Sequence, residues 1–362
     1  MKILLVGNPN VNPERLLPLV DQHEVYGLWE SKSKWGVSVQ APTSYQEIPS
    51  ITLEEIPDKG IQIVWNLLSP WDGLDSVLSI LEHYPGIPLV RHTQGGATPP
   101  WHQGGKFRQG WKPKGNYDFG KFKAVLEGAA GVLINAEKYR DCLIAQGVGI
   151  QETPYILFNG MAYNEDLIGE DASKLSSKGS PHIAIIGRSS TNLLRAFEME
   201  GVTIHCHTYR MRHAPFPYVK VGQYLGDAHM MGGALFLRAL LQRKSVWHQI
   251  FSKYDAGIMP VFDPDHPDIF EGVDINVPGR INNYIMAGLP PLIQDIDSAT
   301  RDFMEPSGCA ILYQTSSDLQ DKLRDTVYMT EKQAHVRASR HLFSMQHEIT
   351  RALVFFSSLL KD

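Results

Sequence analysis

Within residues 277–290, Val277-Pro278-Gly279-Arg280-Ile281-Asn282-Asn283-Tyr284-Ile285-Met286-Ala287-Gly288-Leu289-Pro290, a proline opens a predicted helix and a glycine closes it. Arg280 and Asn283 fall in its first turns, so a positive charge stands where free backbone N–H groups and the helix dipole already favour an anion. A diphosphate suits that placement. Two other side chains suit proton transfer: Asp72, in Ser69-Pro70-Trp71-Asp72, and His92, in Val90-Arg91-His92-Thr93, each following a predicted strand. Asp72 also fits the cap of a helix beginning near Gly73. Asp263-Pro264-Asp265, with Asp268 nearby, spells a metal-binding triplet, but such triplets arise by chance in acidic loops. His205-Cys206-His207 sends its middle residue to the opposite face of a strand, which separates the three as ligands. No metal site is expected. The glycines at Gly7, Gly187 and Gly232-Gly233 lack the G-x-G-x-x-G spacing of a nicotinamide site, and no cofactor is expected either.

Residues 106–123 hold six basic side chains against one acid, interleaved with aromatics. Lys106, Arg108, Trp111 and Lys112 lead this stretch. It fits a grip on an anionic or lipid-linked acceptor, with aromatics stacked on sugar rings or resting at a bilayer interface. It fits equally a solvated loop pinned to its domain by those aromatics. Single-stranded nucleic acid is disfavoured, because 34 basic and 39 acidic residues leave a formal charge of −5 and no global positive field.

These residues are positioned by a repeating pattern of short apolar runs and longer stretches of helical period, the signature of parallel βαβ units. The runs in the first half are 2–6, 24–28, 62–67, 88–91, 131–135 and 155–158. A polar stretch, 164–181, follows Asn159-Gly160, and a second series begins: 182–187, 202–205, 219–221, 256–259, 291–293 and 310–312. The expected fold is therefore α/β, with two Rossmann-like, doubly wound domains whose carboxyl-terminal strand edges face each other across a cleft. The expected boundaries are 1–165 for the first domain, 166–181 for a linker, 182–335 for the second domain and 336–362 for a terminal helix that packs back across them. In that helix Leu342, Phe343, Ile349, Leu353, Val354 and Phe356 form an apolar stripe, read as core packing.

Composition agrees with a globular protein: 362 residues, 43% hydrophobic and 20% charged, enough for two cores. Cys142, Cys206 and Cys309 match neither a disulfide framework nor a zinc knuckle, which points to a reducing, cytoplasmic setting. The apolar start breaks at Gly7-Asn8-Pro9-Asn10, too early for a signal peptide, and no run approaches the roughly 20 residues of a membrane span. Peripheral contact with the inner face of a membrane stays open.

Pro278, Arg280, Tyr284, Ala287, Gly288 and Pro290 fall on the pattern P-x-K-x-x-E-Y-x-x-A-G-x-P. In this the segment resembles the donor site of GT-B glycosyltransferases of the family 4 type. Tyr254-Asp255-Ala256-Gly257-Ile258-Met259-Pro260 is similar to that family's strand before the donor loop, and Ile186-Gly187-Arg188 to its first C-domain strand and phosphate arginine. Val132-Leu133-Ile134-Asn135, Gly147 and Phe158-Asn159-Gly160 resemble the close of its N-domain. The resemblance implies that Arg188 and Arg280 neutralise donor phosphates, with Arg280 in place of the usual lysine. It implies that Gly7 and Asn8 approach those phosphates from the first strand-to-helix turn, and that His92 stands near the transferred sugar. Asn283 replaces a glutamate that binds the donor ribose, and the motif's earlier glutamate falls at Ile275, leaving Glu271 and Asp274 as the carboxylates nearby.

The implied activity is metal-independent, retaining transfer of a sugar from a nucleotide-diphosphate sugar to a glycan, lipid-linked or small-molecule acceptor, in the synthesis of cell-surface polysaccharide or glycoconjugate. A degenerate relative that binds a sugar nucleotide or glycan without turnover is the alternative reading. An oxidoreductase on the same strand pattern is a third.

Overall fold

Among the described residues twelve of these runs form strands, and all the pairings among them are parallel. Parallel strands need covered faces, which explains why the runs read as continuously apolar rather than alternating. The computed structural model describes residues 1–7, 17–29, 48–67, 73–93, 118–160, 162–163, 165, 168–186, 201–207, 219–220, 248, 251–259 and 277–361. These divide into two compact units, one of Met1–Gly160 with Met345–Asp362, the other of Met161–Ser344.

The first unit runs β1 (Lys2–Gly7), α1 (Leu17–Val20), β2 (Glu24–Trp29), α2 (Ile56–Lys59), β3 (Ile63–Asn66), α3 (Leu74–His83), β4 (Leu89–Thr93), α4 (Phe119–Glu127), β5 (Gly131–Ile134), α5 (Glu137–Ala145) and β6 (Tyr155–Leu157). Its six strands lie in the order β2-β1-β3-β4-β5-β6, so the winding reverses between β1 and β3. Ile3, Leu5, Val64, Val90 and Leu133 fill the buried core. Helices cover both faces. Phe122 of α4 lies under Arg91 on one face, and on the other Phe356 stands edge-on to Trp65 at 5.5 Å.

The second unit runs β7 (His182–Ile186), β8 (Thr203–His207), β9 (Val219–Lys220), β10 (Ala256–Ile258), α6 (Arg280–Met286), β11 (Pro291–Gln294), α7 (Ser298–Met304), β12 (Ile311–Tyr313), α8 (Ser316–Arg324) and α9 (Thr326–Ser339). Its sheet order is β12-β11-β10-β7-β8-β9, which counted within the unit is 3-2-1-4-5-6, the order of dinucleotide-binding folds. Ile183, Ile185, Ile204, Ile258 and Leu292 form its core with Leu319 and Leu323 of α8. Side-chain caps start several helices: Asp118 accepts from the Lys121 N–H, Asp297 from Thr300, Thr315 from Asp318 and Asp325 from Tyr328.

The chain returns to the first unit with α10 (Met345–Leu359). Here the expected stripe needs correction: Ile349, Phe355 and Phe356 are buried, but Val354 is 69% exposed, because the face turned to the sheet is Met345, Ile349, Ala352 and Phe356. Among the described residues no helix is long and apolar enough to cross a membrane.

Candidate functional site

In open α/β sheets, ligands bind beyond the carboxyl ends of the strands where the winding reverses. In the first unit that place is the end of β1 and β3. Gly7 closes β1 at φ +137°, a conformation costly for any residue with a Cβ. Gly73 packs so closely that a Cβ on it would stand 3.2 Å from the Gly7 Cα and 3.3 Å from Asn66 Nδ2. It is also the N-cap of α3, at φ +81°. Asn66 Nδ2 donates to the Val6 carbonyl at 3.0 Å. Arg91, fully buried, donates through Nη1 to Asn66 Oδ1 and to the Leu67 carbonyl at 3.4 Å, with its guanidinium 5.7 Å from the Phe122 ring centroid. One polar chain thus ties the ends of β1, β3 and β4. Neither Asn66 nor Arg91 was singled out by sequence reasoning; the available signal was a polar or charged residue inside an otherwise apolar run.

His92, next along β4, points to the other face. It is 3% exposed, edge-on to Phe158 at 4.9 Å and 6.4 Å from the Trp65 ring. A Cβ on Gly160 would overlap the imidazole, so only glycine lets the Phe158-Asn159-Gly160 turn close over the ring. That turn is held in place by α10, where Glu348 Oε2 accepts the Asn159 N–H at 3.1 Å and Arg351 Nη1 reaches the carboxylate at 3.2 Å. Burial pushes the Glu348 carboxyl above its usual range, against the pull of Arg351 and the Asn159 bond. Thr93 Oγ1 meets the Tyr139 hydroxyl at 3.3 Å, and burial drives that phenol up to about 12.

In the second unit, Arg280 is the first residue of α6, after the Gly279 N-cap, and Asn283 follows one turn later. Both are half-buried. The helix is docked through Tyr284, whose hydroxyl donates to the Ile258 carbonyl of β10 at 2.7 Å. Gly257 makes room for this, since a Cβ there would overlap the Tyr284 ring. Gly288, at φ +69°, ends the helix. Beside this end, His248 Nδ1 lies 3.1 Å from the Met286 carbonyl and its Nε2 lies 2.6 Å from Asp171 Oδ1. The other Asp171 oxygen takes Arg337 Nε at 2.6 Å. Burial pushes Asp171 up, but the bonds and charges of His248 and Arg337 outweigh it and hold the carboxyl below its usual range. This trio was missed in the sequence, because its members stand far apart in the chain and follow no motif.

The structure gives two separate residue groups, one per unit: Gly7 and His92 at the strand ends of the first, Arg280 and Asn283 on α6 of the second. Asn8, Asp72, Lys106, Arg108, Trp111, Lys112, Arg188 and Glu271 lie outside the described residues, as do Asp263, Asp265 and Asp268. Of the cationic stretch, Lys121 and Lys123 are described: on α4 they pair with Asp75 at 2.5 Å and Glu127 at 3.7 Å. Among the described residues no group of three or more His, Cys, Asp or Glu side chains is placed to hold a metal ion.

No protein-family model matches this chain, and no curated protein matches it. Three solved structures align with it along nearly its whole length. A Listeria monocytogenes protein assigned as a UDP-N-acetylglucosamine 2-epimerase is 12% identical, with 99% of this chain and 96% of that one covered and a TM-score of 0.49. MnaA of S. aureus, in a structure with UDP, is 10% identical, with 100% and 98% covered and a TM-score of 0.46. The spinosyn rhamnosyltransferase SpnG is 12% identical, with 98% and 100% covered and a TM-score of 0.42.

Proposed function

We propose that this chain binds a nucleotide-diphosphate sugar through its second unit and transfers the sugar to a glycan, lipid-linked or small-molecule acceptor, without a metal ion and with retained stereochemistry. The observation that carries the reading is Arg280 at the head of α6, on the connection between β10 and β11 of a sheet with dinucleotide-binding strand order. A guanidinium offers two parallel donors to phosphate oxygens and stays charged at any working pH. As the bond from sugar to diphosphate breaks, negative charge grows on the departing phosphate, and a fixed cation there stabilises the transition state more than the ground state. Asn283, one turn along, is proposed to hydrogen-bond donor hydroxyls, and Arg188 to share the phosphate charge. Gly7, Asn8 and Glu271 complete the proposed donor side. The acceptor side is proposed for the first unit, with His92 and Asp72 handling protons and Lys106, Arg108, Trp111 and Lys112 holding the acceptor. A site at the inner face of a membrane is proposed with a lipid-linked acceptor. Binding without turnover is the second reading, favoured by Asn283 standing where the resembling family has a glutamate.

The test is a thermal-shift panel of UDP, GDP, ADP, dTDP and their sugar conjugates on wild type, Arg188→Ala and Arg280→Ala. Saturation near 100 times the dissociation constant adds about 2.7 kcal/mol, several degrees for units of this size. One nucleotide is expected to shift the wild type and neither variant. The reading is overturned if no nucleotide shifts the wild type, or if both variants keep the full shift. Free nucleotide released in step with glycosylated acceptor separates transfer from binding alone.

A further inference from the structure

Helix α6 has seven residues, a length of about 10 Å, and helices this short do not hold their own geometry in water. Its placement therefore comes from what it touches. Tyr284 fixes its middle to β10. Its carboxyl end is fixed by a different device. The Met286 carbonyl is one of the last four of the helix, which lack partners within it. His248, with no exposed surface, meets that carbonyl with one ring nitrogen and the Asp171 carboxylate with the other. Both neighbours are oxygen acceptors, one facing each ring nitrogen, and the ring stands at the negative end of the helix dipole. Arg337, from α9, closes the chain on Asp171, and its stem lies against Gly288, where a Cβ would come within 3.1 Å. Apolar side chains would cover the helix end as cheaply, but they would not set its rotation and rise through directional bonds.

We propose that Asp171, His248 and Arg337 are positioning residues for Arg280: by fixing the carboxyl end of α6 they set where the guanidinium at its other end stands toward the donor diphosphate. This rests on the donor-site reading above. The trio lies at the far end of the helix from the ligand and touches no reacting atom, so its influence must pass through α6.

A double-mutant cycle separates this from general support of the fold. Isothermal titration with the nucleotide diphosphate that binds is run on wild type, Arg280→Ala, His248→Gln and Asp171→Asn, and on each of the last two combined with Arg280→Ala. Thermal midpoints are measured on the same samples. His248→Gln and Asp171→Asn are each expected to weaken binding about five- to tenfold, the scale of one lost hydrogen bond. In the Arg280→Ala background they are expected to weaken it little further, while their effects on the thermal midpoint add to that of Arg280→Ala. Asp171, 33% exposed, gives the folded variant if the buried His248→Gln does not fold. Binding losses that multiply in the double variants, or folded single variants that bind as wild type does, overturn the proposal. If Arg280→Ala alone leaves affinity unchanged, the donor-site reading has failed, and that result shows in a variant that leaves the trio intact.

Discussion

A methyl group on Gly257 has nowhere to go, because the ring of Tyr284 already occupies the space. Gly257→Ala must displace that ring or the strand, and overpacking of this kind costs about 1–3 kcal/mol. Tyr284→Phe keeps the ring and loses only the bond to the Ile258 carbonyl, worth about 1 kcal/mol. Urea midpoints are expected to fall further for Gly257→Ala than for Tyr284→Phe. The reverse order would mean that the ring swings aside and the hydroxyl anchors the helix. At this scale the sequence was partly legible. Tyr284 and Gly257 were visible as members of a pattern, but what they do, dock α6 on β10, needs the contact between them. Asn66, Arg91 and His248 stayed hidden for the same reason: each finds its polar partner 25 to 77 residues away. His92 was visible as a residue that follows a strand, while its aromatic surroundings come from β3, the 158–160 turn and the glycine that lets that turn close.

Strands were the most legible elements, because burial on both faces favours apolar runs such as those of β1, β3 and β5. Their lateral order was not legible, since it depends on which crossovers turn back at β1 and β7. Adjacent strands can also carry a chemistry that neither shows alone. His182 Nδ1 of β7 and His205 Nε2 of β8 lie 2.7 Å apart, so one nitrogen donates and the other accepts. The Tyr254 ring stacks obliquely on His205 at 4.8 Å, with Lys253 and Asp255 beside it in sequence. Burial, His182 and Lys253 lower the His205 pKa from 6.5 to about 4. The unfolded chain therefore takes up this proton first. The stabilisation from a neutral His205 is complete above about pH 6.5 and is lost as pH falls toward 4. Between pH 7.5 and 5 the wild type is expected to lose about 1 kcal/mol more than His205→Gln, after allowance for solvent screening. Parallel pH dependence of the two denaturant midpoints would show that the pair contributes nothing.

The whole molecule holds two units, and the first of them is discontinuous in the chain: residues 1–160 are completed by α10 after an excursion of 184 residues, Met161–Ser344. The apolar character of that last helix is plain in the sequence, but its address is not, since an amphipathic helix states what it buries and not against which sheet. In the structure Phe356 packs edge-on to Trp65, and Phe355 and Leu359 fill the space above Gly131, where a Cβ would collide with both. Glu348 holds the turn that closes over His92. Phe356→Ala alone should cost about 3–5 kcal/mol by leaving a cavity beside Trp65. Removing residues 345–362 strips Met345, Ile349, Ala352, Phe355 and Phe356 from the core together. At roughly 1.5–3 kcal/mol for each large apolar side chain, that loss is comparable with the whole stability of a domain, about 5–15 kcal/mol. Hydrogen exchange followed by mass spectrometry is therefore expected to show β1 and β3–β6 unprotected in the truncated chain, while β7, β10 and β11, whose core is complete without α10, keep their protection. Retained protection in β3–β5 would mean that the sheet and its other helices suffice, and that α10 caps a core already closed.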